Sequence, residues 1–291
     1  MNHALRFVFL RPAKRGMTAY SQHMAKTRIT ITSLVVSLFF LSCEEVIDLD
    51  LDQVKERIVI EGIVSDKPST SRVKISFTES IYTRSQPKRA SGATVTLSDD
   101  LSNSEVLQEI QPGIFAPAKL LGAINREYRV KIAIGGVEYS AASRMPDAMA
   151  LDSVRSSSSG YDPRFSCPVM LTYFLTNRLG VEEFCMIKAF NQNDSKFYWT
   201  LYSDKNSDGK QVVLESPSFL ASSNTIRVEV ISIDKATYEY FRTLQELVGN
   251  DGFEAPDLLK LNEYNPRSNI TNDALGYFSA QSQRDYMVSL R

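Results

Sequence analysis

From Arg57 onward the chain is a succession of short runs in which β-branched and aromatic residues alternate with polar ones, each closed by turn-forming residues. Arg57–Ser65, Arg72–Phe77, Ala93–Ser98, Glu105–Ile110, Tyr128–Ile134 and Val137–Ala142 all read this way. Between them stand Asp66-Lys67-Pro68, Gln86-Pro87, Asp99-Asp100, Pro112-Gly113 and Gly135-Gly136, which are turn and hairpin signals. No helical period separates the runs, so a βαβ fold is disfavoured. The expectation is an antiparallel β-sandwich of the immunoglobulin or prealbumin kind over residues 55–147, closing at Met145-Pro146-Asp147.

The second half, residues 148–291, reads as a β-rich α+β domain. After the polar link Ser156–Gly160 and Asp162-Pro163, strands are expected at Val169–Thr176, Glu183–Phe190, Lys196–Ser203, Gln211–Glu215 and Thr225–Ile233. Asp234 is a good N-cap, and Tyr238, Phe241, Leu244 and Val248 recur at helical spacing until Gly249-Asn250, which predicts one helix over 235–248. This aromatic stripe is expected to be a core face on a sheet. An irregular stretch, Asp251–Asn269, then leads to a last strand around Leu275–Ala280.

The N-terminal end has a different texture. Residues 1–42 hold Arg6, Arg11, Lys14, Arg15, Lys26 and Arg28 and no acid. Within them Ile29–Leu41 is an uncharged, mainly apolar run, shorter than the ~20 residues that span a bilayer. It suits the apolar core of a secretory signal. The end of the run with the two residues after it, Phe40-Leu41-Ser42-Cys43, resembles a bacterial lipobox, which implies cleavage before Cys43 and lipidation of that cysteine. Residues 43–54 would then be a lipidated tether, and Met24 is the expected start of the signal. One acyl chain holds a protein to a membrane only marginally, whereas two or more anchor it stably.

Cleavage at Cys43 would take Lys+Arg from 33 to 27 against 34 acidic residues, a net charge of −7 in place of −1. Such a body has no electrostatic reason to bind nucleic acid. Both histidines, His3 and His23, would be discarded, and with them imidazole bases, Ser-His-Asp or Cys-His nucleophiles and histidine zinc sites. The expected class is therefore non-enzymatic. Carboxylate pairs for glycoside hydrolysis need no sequence proximity, but no motif singles one out among so many acids.

Cys167 and Cys185 are the other cysteines. A disulfide between them and a pair of buried thiols are both open readings; a tight turn at Asn177–Gly180 would keep them from being cross-strand partners. Asp204, Asn206 and Asp208, with Gly209 and then Glu215, match a calcium-loop pattern. The flanking segments read as strands where an EF-hand needs helices, and a hairpin with Asp-Gly at its turn accounts for the same residues. Asp48, Asp50 and Asp52 alternate with Leu49 and Leu51 as on a half-buried strand with a wet side. Asn269-Ile270-Thr271 is a glycosylation sequon by pattern and a turn by context.

Several segments read together carry a family resemblance. Cys43-Glu44-Glu45-Val46-Ile47-Asp48-Leu49-Asp50-Leu51, Val59-Ile60-Glu61-Gly62, Ser91-Gly92-Ala93-Thr94-Val95, Ser143-Arg144-Met145-Pro146, Ser268-Asn269-Ile270 and Leu275-Gly276-Tyr277-Phe278 occur in one order. That order resembles a Bacteroidetes-type family of outer-membrane lipoproteins of unknown function, often encoded beside TonB-dependent receptors. The resemblance implies an outer-membrane location and such a receptor as partner, and brings no catalytic residue. The expected function is an accessory or ligand-binding component, with a structural or adhesive surface protein as the alternative.

Overall fold

In this computed structural model, residues 56–78, 88–157, 167–191, 197–205, 209–221, 223–248 and 265–290 are described. The period-two runs become pleated strands with one buried face. The strands, in chain order, are β1 Ile58–Ser65, β2 Arg72–Phe77, β3 Thr94–Asp99, β4 Ser104–Val106, β5 Gln108–Gln111, β6 Ile114–Ala116, β7 Glu127–Ile134 and β8 Val137–Arg144. They continue with β9 Ser153–Ser156, β10 Cys167–Val169, β11 Leu171–Thr176, β12 Phe184–Asn191, β13 Phe197–Ser203, β14 Gln211–Glu215, β15 Phe219–Ala221, β16 Thr225–Ser232 and β17 Leu275–Ser289. One helix, α1 Lys235–Val248, stands between β16 and β17. The fold is mainly β, as the alternation predicts.

The backbone of the fold is an eight-stranded sheet in the order β13-β12-β16-β17-β1-β2-β6-β5. Three smaller sheets accompany it: β4-β3-β7-β8, β14-β11-β9 and β10-β15. Every pairing is antiparallel except that of β1 with β17, which is parallel and joins residues more than two hundred positions apart.

Among the described residues two large buried cores result, with a small third cluster of Phe184, Ile231 and Ile233 beside Tyr238. The first gathers Ile58, Ile60, Val73, Ile75 and Phe115 of the large sheet against Val95, Leu97, Tyr128, Val130 and Ile132 of the four-stranded one. The second sets Ile187, Tyr202, Val228 and Val230 against Leu171, Tyr173 and Leu175, with Val169 and Phe219. The cores fall on either side of Met145-Pro146-Asp147, yet β17 serves both: Phe278 and Ala280 lie in the first, and Tyr286 and Val288 pack on the second. Val54–Arg291 accordingly forms one compact unit.

Asp234 caps α1, its Oδ1 accepting the Thr237 amide at 2.9 Å. The aromatic stripe lies on the large sheet: Tyr238 meets Phe184 at 5.0 Å between ring centroids, and Phe241 meets Trp199 at 5.9 Å and Tyr277 at 4.9 Å. No helix among the described residues is long and apolar enough to cross a membrane.

Two sequence expectations differ from the structure. Residues 197–215 do not form a hairpin: β13 pairs with β12 in the large sheet, and β14 pairs with β11 in the three-stranded one. The physical reason is the second core, which Tyr198 and Tyr202 enter from one layer and Val212 and Leu214 from the other, so the connection crosses between layers. The last strand also runs past Ala280 to Ser289, because its polar second half finds β16 as a partner along its whole length.

Candidate functional site

Several sequence candidates lie outside the described residues: Cys43, the acids Asp48, Asp50 and Asp52, and Asn206 and Asp208 of the calcium-loop pattern. Of that pattern Asp204 is buried just after β13, its amide bonded to the Glu183 carbonyl at 3.1 Å, while Glu215 is exposed at the end of β14 in another sheet. The elements on either side are strands, as expected. Among the described residues no group of three or more His, Cys, Asp or Glu is placed to hold a metal ion.

Cys185 is a free thiol, fully buried in β12, whereas Cys167 begins β10 in a different sheet. Burial, reinforced by the nearby Glu183 charge, pushes the Cys185 thiol up to about 12, so it stays protonated and unreactive near neutral pH. Asn269 is a structural clip: its Nδ2 donates to the Phe278 carbonyl at 2.7 Å and its Oδ1 accepts the Phe278 amide at 2.9 Å.

Four of the six motif segments meet at one seam, those of Val59–Gly62, Ser143–Pro146, Ser268–Ile270 and Leu275–Phe278. Val59, Ile60, Glu61 and Gly62 stand in parallel register with Leu275, Gly276, Tyr277 and Phe278. A Cβ on Gly62 would come within 2.6 Å of the Phe278 ring. Gly276 has φ +97°, and a Cβ there would lie 2.0 Å from the Ile60 carbonyl oxygen. Ser143 fastens the seam from behind, accepting the Ala280 amide at 2.8 Å and donating to Asp234 at 2.6 Å.

Beside this seam residues 144–147, 181–184 and 232–235, with Asn125, Met149 and Arg178, line a cleft of about 260 Å³. Arg178 dominates it. Its Nη1 donates to Asp147 at 2.6 Å and its Nε to the buried carboxylate of Glu183 at 2.7 Å, while its backbone amide reaches Glu183 at 2.9 Å. The bond from Asp147, together with Glu183, holds the guanidinium even more firmly protonated than usual. Asn125 also donates to Asp147 at 3.2 Å, and Lys235 pairs with Glu182 at 2.8 Å. Asp147, Glu182, Glu183 and Asp234 therefore each hold a donor, an arrangement that ties chain segments together. Sequence reasoning did not single out Glu183 or Arg178; the second acceptor of Arg178, Asp147, is 31 positions away from it and bears no local signature.

A family described as "Domain of unknown function (DUF4249)" matches residues 44–286. The chain belongs to this family. No curated protein matches the sequence. Among solved structures, a pullulanase complexed with maltotriose, from Anoxybacillus sp. LM18-11, aligns at 11% identity and a TM-score of 0.19, over 60% of this chain and 24% of its own. The chain thus spans about a quarter of that enzyme, and so loose a superposition carries no argument.

Two wider grooves remain on this DUF4249 domain. One, about 740 Å³, is bounded by Glu105, Val106, Lys119, Leu121 and Arg126. Burial raises the Glu105 carboxyl, but bonds from the amides of Ala118, Lys119 and Leu120 more than offset it and hold the group below its ordinary range. The other, about 710 Å³, runs between β9 and the end of β17. Elsewhere Lys188 and Glu229 face each other across β12 and β16. Burial lowers the ammonium of Lys188 and raises the carboxyl of Glu229. None of the three clefts is lined by this pair, so its shifts follow from packing on the sheet.

Proposed function

We propose that this DUF4249 protein is a lipid-anchored extracytoplasmic lipoprotein of the outer membrane, acting without catalysis as an accessory or binding component beside a TonB-dependent receptor. The observation that carries the reading is the position of Cys43. It directly follows the apolar run Ile29–Leu41 and Ser42, and the family match starts at the next residue, Glu44. The leader therefore lies outside the family domain, as a removed signal would.

The binding part of the proposal draws on the open grooves, shallow surfaces whose acids already hold donors, as suits recognition of a partner better than acid-base chemistry. The test is Cys43→Ser with radiolabelled fatty acid and membrane fractionation. Loss of label and release from the membrane are expected; unchanged acylation and attachment would overturn the anchor. Capture of the native lipoprotein from detergent-solubilised outer membranes should recover a TonB-dependent receptor, and recovery of none would overturn the partnership.

A further inference from the structure

The large sheet ends in two unlike margins. At one, β5 is four residues long, carries Glu109 and slips register between Glu109 and Gln111. Charges and bulges of this kind keep an edge from pairing with another chain. At the other margin β13 runs for seven residues, Phe197-Tyr198-Trp199-Thr200-Leu201-Tyr202-Ser203, with no charge, proline, glycine or register shift. Among the described residues no strand lies on its outer side. The edge strands of the smaller sheets that are longer than three residues each bear a charge: Glu138 and Arg144 in β8, Arg155 in β9 and Glu215 in β14.

Backbone alternation fixes what β13 offers. Just past its end the Asp204 amide meets the Glu183 carbonyl at 3.1 Å, so Tyr198, Thr200 and Tyr202 turn their amides and carbonyls toward β12. Those of Phe197, Trp199, Leu201 and Ser203 point away from β12, and among the described residues none of them has a bond. The side chains of the same four residues share the sheet face on which α1 lies. There Trp199 meets Phe241 of the helix, and Phe197, 45% exposed, lies against Phe190 with ring centroids 5.4 Å apart. These contacts hold the edge in place before anything pairs with it.

We propose that β13 is a dimerisation edge, taking as its added strand the β13 of a second copy of this chain, antiparallel about a two-fold axis at Thr200. What selects a second copy is that the edge complements itself. About that axis Phe197 stands opposite Ser203 of the second copy and Trp199 opposite Leu201, so every outward residue exchanges both of its backbone bonds. An axis at Trp199 or at Leu201 would leave Ser203 or Phe197 without a partner. The Trp199 and Leu201 pair occurs twice, as an apolar cross-strand contact. With no charge on either side the pairing strands none, whereas a charged strand would find no counter-charge along β13. The same patch serves both copies, so the contact closes at two chains. The inference stands apart from the anchor at Cys43, because it draws on β13 alone.

The test uses the full-length protein. In detergent, sedimentation equilibrium should give twice the mass of one chain. Leu201→Pro should halve that mass, since it removes an outward amide and no ladder bond to β12. Leu201→Lys, which sets a charge against Trp199 of the second copy, should do the same, with circular dichroism like that of the wild type showing that the fold is kept. Thr200→Cys reads the register: at the axis the two introduced thiols form a non-hydrogen-bonded pair with Cα atoms about 4.5 Å apart, within disulfide reach. The variant gives up a long 3.4 Å bond to the Glu215 carbonyl. Oxidation in intact cells should yield a homodimer linked at position 200, identified by mass spectrometry, and Leu201→Cys should yield none. A wild-type monomer, a dimer that keeps its mass in both Leu201 variants, a link at position 201 in place of 200, or a link to another protein would each overturn the proposal.

Discussion

The two ends of β17 use the same kind of strand in opposite ways. Leu275–Gln281 is paired with β1 on one side and, at Ser282, gives way to a segment paired with β16, beside whose far edge no strand stands among the described residues. The first end needs glycine at two close approaches and the clips from Asn269 and Ser143; the second exposes Met287 and tolerates acids and polar residues. The first half is fixed by the β1 ladder on one edge and side-chain clips from Asn269 and Ser143, whereas the second is fixed by the β16 ladder alone, with no strand on its other edge among the described residues.

The contrast can be broken most forcibly at Gly276. Gly276→Ala puts a methyl into the Ile60 carbonyl at a positive φ, and a loss of about 4 kcal/mol or more is expected by urea denaturation, enough to prevent folding. A smaller break comes from Ser143→Ala, which leaves the Ala280 amide without its acceptor and should cost about 2 kcal/mol, read the same way. A wild-type midpoint for either variant would mean that the seam is not where the fold is locked.

Cys185 lies in the row where the two ends meet, in register with Ser232, which pairs in turn with Ser282. Its folded pKa is raised from 9.0 to about 12 by burial, so the unfolded state loses that proton first as pH climbs. The stability tied to the protonated thiol is complete below pH 9 and declines between pH 9 and about 12. Melting curves across this window should fall less steeply for Cys185→Ala. The smallest effect belongs to the free end: Met287→Lys should change stability by no more than about 0.5 kcal/mol, and a large drop in melting temperature would show that the open edge is part of the lock.

Much of the strand pattern was legible because burial on one face forces a period of two: β2, β3 and β7 stand where Val73, Val95 and Val130 alternate with polar residues, and β1 where β-branched residues cluster. The helix was legible through Asp234 and its aromatic stripe. The second half of β17 was not, since Gln281–Ser289 has no apolar alternation and becomes a strand through β16. Ser153–Ser156 and Phe219–Ala221 were too short to stand out. The Arg178 cluster was equally hidden, because Asp147 and Glu183 reach it only once separate turns have been brought together.

By itself the sequence determined where most of the strands form, the absence of histidine beyond residue 23 and the apolar run that ends two residues before Cys43, all of which are local or compositional. Tertiary structure alone decided that β1 and β17 run parallel, that β13 and β14 part into different layers and that β17 changes partner from β1 to β16 half-way along. Those outcomes depend on which distant strand supplies the missing backbone partners, and a chain's local pattern carries no record of that choice.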